Sequence, residues 1–379
     1  LSDASALASA SAKAIDGGED ADTIHNAAEI EMNSFSEAES TAVSVNLTAS
    51  MKGVAEGNAM ADGSAEAFSN SSGIDGGAGH DTITASTQKI KTTAESSADS
   101  TSVTVSGGGT VGLTTGASVS DSSATGEAYS TGIDGGLGND TITAASQIEA
   151  TSKAKADADA TVVDVKIGAG VVGGYGLADS SATAKASSTG IHSGDGIDII
   201  TNTGNITAGA NPLNLDPMAL ATAGSTNVTV GVAAGLSGSD AASQSFALAE
   251  ANALGIGSGS GADTIINEGV LAVVANPLDT QPLARADAVS TTVSIGITVG
   301  ANNGTAASDS STIARVNATG IDSGSENDTI INRSAIAVGT DPYAAAAKMA
   351  YASASSTTVD IGITLGADLG GTSAEASAV

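Results

Sequence analysis

The sequence predicts an all-β fold, a parallel β-solenoid of the β-helix or β-roll kind with a small-residue core. Three observations predict it: a motif that recurs six times, long stretches in which small or apolar residues alternate with polar ones, and a shortage of large side chains. The motif reads AIDGGEDADTIHN at 14–26, GIDGGAGHDTITA at 73–85 and GIDGGLGNDTITA at 132–144. It returns as GIHSGDGIDIITN at 190–202, GIGSGSGADTIIN at 255–267 and GIDSGSENDTIIN at 320–332. Its aspartates, Asp22, Asp81, Asp140, Asp198, Asp263 and Asp328, stand 59, 59, 58, 65 and 65 residues apart. A fixed period of that length marks a stacked repeat architecture. Residues 1–379 therefore read as one continuous array of six repeats of 58–65 residues.

Each element of the repeat follows from its residues. The Gly-rich motif is the turn. After Asp140, Ile142, Ala144, Ser146, Ile148 and every second residue through Val162 are small or apolar, with Thr, Gln, Glu, Lys and Asp between them. Period 2 over such a span is a strand. The phase then reads as slipping by one, to Val163, Val165, Ile167 and Ala169, and comparable Val/Ile runs occupy 103–113, 228–236, 293–301 and 359–367. A Gly-rich corner follows, then an alternating Ala strand such as Ala182, Ala184 and Ala186 that leads into the next motif. The inward residues are thus expected to be Ala, Ser, Thr and Val. Repeats four and five carry Pro-rich insertions, NPLNLDP at 211–217 and NPLDTQP at 275–281, which account for the longer spacing as a loop leaving one fixed point of the scaffold. Two windings fit: one wide, flat rung of about 60 residues per repeat, or three rungs of roughly 20. The unbroken alternation from 142 to 162, with no Gly or Pro corner, favours the wide rung, in which the six motifs lie over one another about 4.8 Å apart.

Composition narrows the function. With 379 residues, no Cys or Trp and only 2% aromatics, the core must be thin. Forty-two acids against twelve bases, a formal charge of -30, argue against binding nucleic acid or anionic lipid, which need clustered Lys and Arg. No apolar run approaches the roughly 18 residues of a membrane span. The bases are scattered and the aromatics few, so no cluster of carboxylates with Lys or Arg on an aromatic platform suggests an enzyme. The three histidines, His25, His80 and His192, fall at different offsets from the motif and do not form a shared ligand set.

The motif carries the chemistry. Residues 76–83, GGAGHDTI, and 135–142, GGLGNDTI, resemble the calcium-binding nonapeptide of the RTX (repeats-in-toxin) family, GGxGxDx followed by an aliphatic residue. The resemblance implies that the six aspartates offer carboxylates to Ca²⁺, and that Gly76, Gly77, Gly79, Gly135, Gly136 and Gly138 offer backbone carbonyls. Hard oxygens in that number suit Ca²⁺, which takes six to eight. Asp75 and Asp134, with Asp16 and Asp322, are secondary candidates, since repeats four and five lack them. The chain departs from the family in three ways. Residues 193 and 258 are Ser where the first Gly stands, Asp20 and Glu326 replace the later Gly, and the motif comes once per repeat instead of in tandem. A site made of two stacked turns then requires the wide rung. The competing reading makes the motif a sharp corner capped by its own Asp.

These features together lead to the expectation of a non-catalytic, calcium-stabilised structural protein of the cell surface or extracellular space. It would be a segment of a fibre, matrix, surface layer or adhesin stalk of a large secreted bacterial protein. The absence of capping sequences suggests self-association, head to tail in a filament or against neighbouring repeats of a longer chain. The alternatives are an adhesin that takes a surface or polysaccharide ligand through the loops 211–217 and 275–281, and a polysaccharide-acting β-helix enzyme.

Overall fold

The computed structural model describes residues 1–209, 218–273, 283–339, 350–368 and 370–379. Among them there is no helix, and so none long and apolar enough to cross a membrane. The described strands form a parallel sheet of 17 strands and a second of six. The chain is a parallel β-solenoid.

The winding is the wide one. Each residue pairs with its equivalent a whole repeat away: Thr82 stands between Thr23 and Thr141, and Asp134 between Asp75 and His192. The second rung shows the course of the chain. A short strand, Thr82–Ala85, leaves the motif; an outgoing arm, Ile90–Thr115, runs the length of the rung; a return arm, Ala117–Asp134, comes back to the next motif. The short strands stack into the six-stranded sheet, and the two arms of all rungs make the larger one. Glycines turn the far corner: Gly112, Gly170, Gly235 and Gly300 all have φ between 140° and 153°, a region closed to most side chains. The extra residues of the long repeats enter at one point. Ala208 pairs with Ala150, 58 residues away, whereas Ala219 pairs with Ala154, 65 away. The Pro-rich segments 211–217 and 275–281 lie outside the described residues.

The core has two parts. At the motif end, three columns of isoleucine stack through the rungs, represented at the third motif by Ile133, Ile142 and Ile148, each fully buried. Along the arms the interior is alanine and serine. Serines there bond across the core from one arm to the other: Ser102 to Ser120 at 2.7 Å, Ser152 to Ser188 at 2.7 Å, Ser225 to Ser245 at 2.8 Å. A serine hydroxyl reaches only two bonds beyond Cα. These bonds therefore hold the two walls closer than the ~10 Å of sheets packed through larger side chains. The small composition is thus a condition of the fold, since a leucine at an inward position of either arm would force the walls apart.

One expectation is corrected. The alternation does not slip at Val163. Inward parity continues unbroken through Val162, Asp164 and Lys166, while Val163, Val165 and Ile167 point out of the sheet. The Val/Ile runs of the other repeats also face outward, and the inward places beside them hold Asn227, Thr229 and Ser294, all fully buried. The Val/Ile runs are therefore mostly an outer face, and the core beside them is more polar than the sequence suggests. In rung three this brings a charged pair inside: Lys166 and Asp164 are both fully buried and ion-paired, and the Lys166 ammonium also donates to Ser106 Oγ at 2.6 Å. The lysine has room because its neighbours in register, Gly108 and Gly231, lack side chains; a Cβ on Gly108 would fall 2.9 Å from Lys166 Cδ.

Candidate functional site

The return arm of rung two ends at Ile133 and Asp134, and the loop 135–140 carries the chain to the short strand of rung three, Thr141–Ala144. The second and third glycines of the motif are required by the backbone. Gly136 and Gly138 have φ of +98° and +129°, and a Cβ on Gly136 would fall 1.8 Å from the Gly77 carbonyl oxygen of the rung before. The first glycine is different. Gly76 and Gly135 are not in the positive-φ region, which is why Ser193 and Ser258 can replace it in later rungs. Asp20 and Glu326, in the place of the third glycine, take φ of +74° and +88°, the only non-glycine residues to do so among those described. Both side chains are exposed, on the outer rim of the loop.

The stacked motifs bring the predicted aspartates together in a column along the solenoid axis. Each backbone N–H donates to the carboxylate of the next rung: Asp22 to Asp81 Oδ1 at 2.7 Å, Asp81 to Asp140 at 2.8 Å and Asp140 to Asp198 at 2.7 Å. Asp198 donates to Asp263 at 2.8 Å and Asp263 to Asp328 at 3.0 Å. Asp81, Asp140, Asp198 and Asp263 are 1–2% exposed. In each aspartate from Asp22 to Asp263 the second oxygen, Oδ2, is buried with no hydrogen-bond partner. In the first three loops it rests against the first glycine of the Gly-Gly pair; a Cβ on Gly135 would fall 3.0 Å from Asp140 Oδ2. Burial pushes the Asp140 carboxyl up to about 6, with Asp198 and Asp81 adding repulsion and the bond from the Asp81 N–H acting the other way. Asp198 is also raised, chiefly by burial, with the Asp140 N–H and the neighbouring Ser193 opposing the shift.

The column fits a hard cation in charge and donor type. Two unit charges about 4.8 Å apart repel by roughly 3–4 kcal/mol at an effective dielectric of 20, and the orphan oxygens are acceptors without donors. The glycine carbonyls are partly engaged. Those of Gly18, Gly77 and Gly136 accept inter-rung N–H bonds at 2.7, 2.9 and 3.2 Å, which leaves each a second lone pair. Among the described residues, no three acidic or histidine side chains converge at one point. The column offers one carboxylate per rung, so an ion between two rungs meets two aspartates and must take its other oxygens from the backbone or water.

The secondary candidates form a separate column. Asp75 pairs with Lys13 at 2.6 Å, and Asp134 Oδ1 lies 3.2 Å from His192 Nδ1. These bonds hold the Lys13 and His192 pKa values up, and the column is partly neutralised. His80 accepts from the Asn139 N–H at 2.8 Å and His25 is exposed, so the three histidines do different things.

Sequence reasoning missed a second buried column at the motif's last position. Asn202 Nδ2 donates to Asn267 Oδ1, and Asn267 Nδ2 to Asn332 Oδ1, both at 2.8 Å. Asn202 and Asn267 each also cap the carbonyl two residues on, Gly204 at 2.9 Å and Gly269 at 2.8 Å. The signal was present, in the final Asn of TIHN and of the later motifs.

No protein-family model, curated protein or solved structure matches the chain.

Proposed function

We propose that the chain is a non-catalytic structural solenoid of the extracellular space or cell surface, a fibre, matrix or stalk segment, whose aspartate column takes up calcium. One observation carries this reading: four stacked carboxylates, those of Asp81, Asp140, Asp198 and Asp263, each with one oxygen bonded and the other buried without a partner. Asp22, Asp81, Asp140, Asp198, Asp263 and Asp328 would hold the ions, with backbone oxygens of the glycine turns, and the bound charge would relieve the repulsion within the column. Weak sites of this kind, with few carboxylates per ion, suit the millimolar calcium outside cells better than the cytosol. The chain of charge -30 would then gain stability by binding as it reaches that medium. The repeated rung supports a structural role, because it supplies length and stiffness.

Thermal melting followed by circular dichroism, in EDTA and then across calcium and magnesium titrations, tests the reading. A melting point that climbs with calcium and much less with magnesium is expected. An identical melt in EDTA and in calcium would make the motif a corner and end the calcium reading.

A further inference from the structure

The outward face made by 43–51, 103–111, 161–169, 226–234, 291–299 and 357–365 has an unusual composition. Its outward positions hold only Val, Ile, Leu, Met, Ala, Thr and Gly, with no charged residue, in a chain of 42 acids and 12 bases. Two to eight residues earlier on the same side of the same strand, the pattern is opposite: Lys153, Lys155, Asp157 and Asp159. The apolar side chains of the inner rungs are open to water, with Val111 59%, Ile167 55% and Val299 60% exposed. The inward places behind them are polar. Solubility and core packing would both favour the reverse, so the face calls for an occupant.

We propose that a second copy of this chain covers it, the two solenoids packing side by side, sheet on sheet, with their axes antiparallel. Charge sets the place. Two copies at -30 each repel, and this uncharged face is where they can approach. Size agrees: six rungs about 4.8 Å apart and some eight residues of strand give roughly 700 Å² per copy. That is beyond the largest apolar patch of a typical monomer and near the ~800 Å² per partner of a standard interface.

Shape sets the orientation. In rung two, Gly107 and Gly109 leave a shallow groove of about 390 Å³ between Leu47 and Val165. In rung five the same columns carry Ile295 and Ile297, reached in register through Val165, Ile167, Val230 and Val232. A two-fold axis along the strands sets rung two of one copy opposite rung five of the other, so the isoleucines enter the groove twice over. The same axis sets Met51, 93% exposed, opposite Leu365, beside a second groove of about 380 Å³.

Sedimentation of the full chain, in EDTA and in calcium over about 1–100 μM, gives the test. The wild type should sediment as a dimer of the 36.0 kDa chain. Val165→Lys with Val230→Lys should be monomeric although it lowers the net negative charge; the fold is checked by circular dichroism, and Lys153 shows that lysine is accepted on this side. Gly107→Ile fills the groove with an apolar side chain, against the flexible end of Leu47, and should weaken the dimer at least tenfold. A specific fit predicts that loss, whereas a merely sticky face would associate more tightly. The proposal is overturned by a wild-type monomer throughout the range, by lysine variants that still dimerise, by Gly107→Ile dimerising as well or better, or by a monomer that binds neutral phosphatidylcholine vesicles instead.

Discussion

Asp140→Asn separates the charge of the aspartate column from its hydrogen bonds. Asp140 Oδ1 accepts the Asp81 N–H and its own N–H donates to Asp198; an asparagine keeps both bonds and removes the buried charge. The carboxyl is raised from 3.8 to about 6 in the folded chain. A group raised on folding binds its proton more tightly in the folded state. Its stability contribution therefore falls as pH rises from about 4 to 6, and at pH 7 the ionised form costs about 3 kcal/mol. The amide placed at the Oδ2 position finds no ready acceptor, which returns about 1–2 kcal/mol. The net gain in EDTA is about 1–2 kcal/mol. With an unfolding entropy of about 2.1 cal/mol/K per residue, cooperative melting of the chain should shift upward by roughly 1–3 °C. In calcium the sign reverses, because the variant removes one charge from the two gaps that flank rung three. Calorimetry of both proteins at pH 7, and in EDTA at pH 4 where the advantage should vanish, reads each part. A variant less stable than wild type in EDTA at pH 7 would refute the uncompensated charge. An equal calcium response in both proteins would refute its use as a ligand.

Three other substitutions test the packing. Lys166→Met should cost about 3–5 kcal/mol, since it leaves Asp164 charged and buried; Asp164→Thr with Lys166→Gly, which copies Thr229 and Gly231 of the next rung, should recover most of that in urea titrations. Asn267→Ala should cost about 1–3 kcal/mol by stranding Asn202 and Asn332, seen as faster amide exchange in rungs four to six. Gly136→Ala should prevent cooperative stacking at rung three, because its Cβ would meet the Gly77 carbonyl oxygen at 1.8 Å and φ is +98°. Limited proteolysis near 136 reports it, and a resistant variant would mean the loop relaxes without the left-handed glycine.

Much of the architecture was legible. The 58–65-residue spacing of the aspartates is the register of the sheets, and the alternation from Ile148 onward is one long arm, although the same alternation hides the break at 145–147 that puts Ile142 and Ala144 in a short strand of the other sheet. The error at Val163 has a physical cause. A thin interior accepts Ser, Asn and Thr as readily as Ala, and one outer face is apolar, so hydrophobicity stops distinguishing inside from outside. Strand parity still does: Ala158, Ala160, Val162, Asp164 and Lys166 are consecutive inward positions with no glycine or proline among them. The orphan Oδ2 atoms could not be read from the sequence, because each exists only once one loop lies on another. The buried Lys166 was equally hidden, since its space is made by glycines 58 and 65 residues away.

The most direct test of the aspartate column is the number of calcium ions held by the folded wild-type chain, from equilibrium dialysis at about millimolar calcium with metal analysis. Six aspartates linked by five inter-rung bonds predict about five ions per chain, and Asp140→Asn should remove one or two. A folded chain that retains none would leave the column to be neutralised by protons alone and would contradict the calcium role.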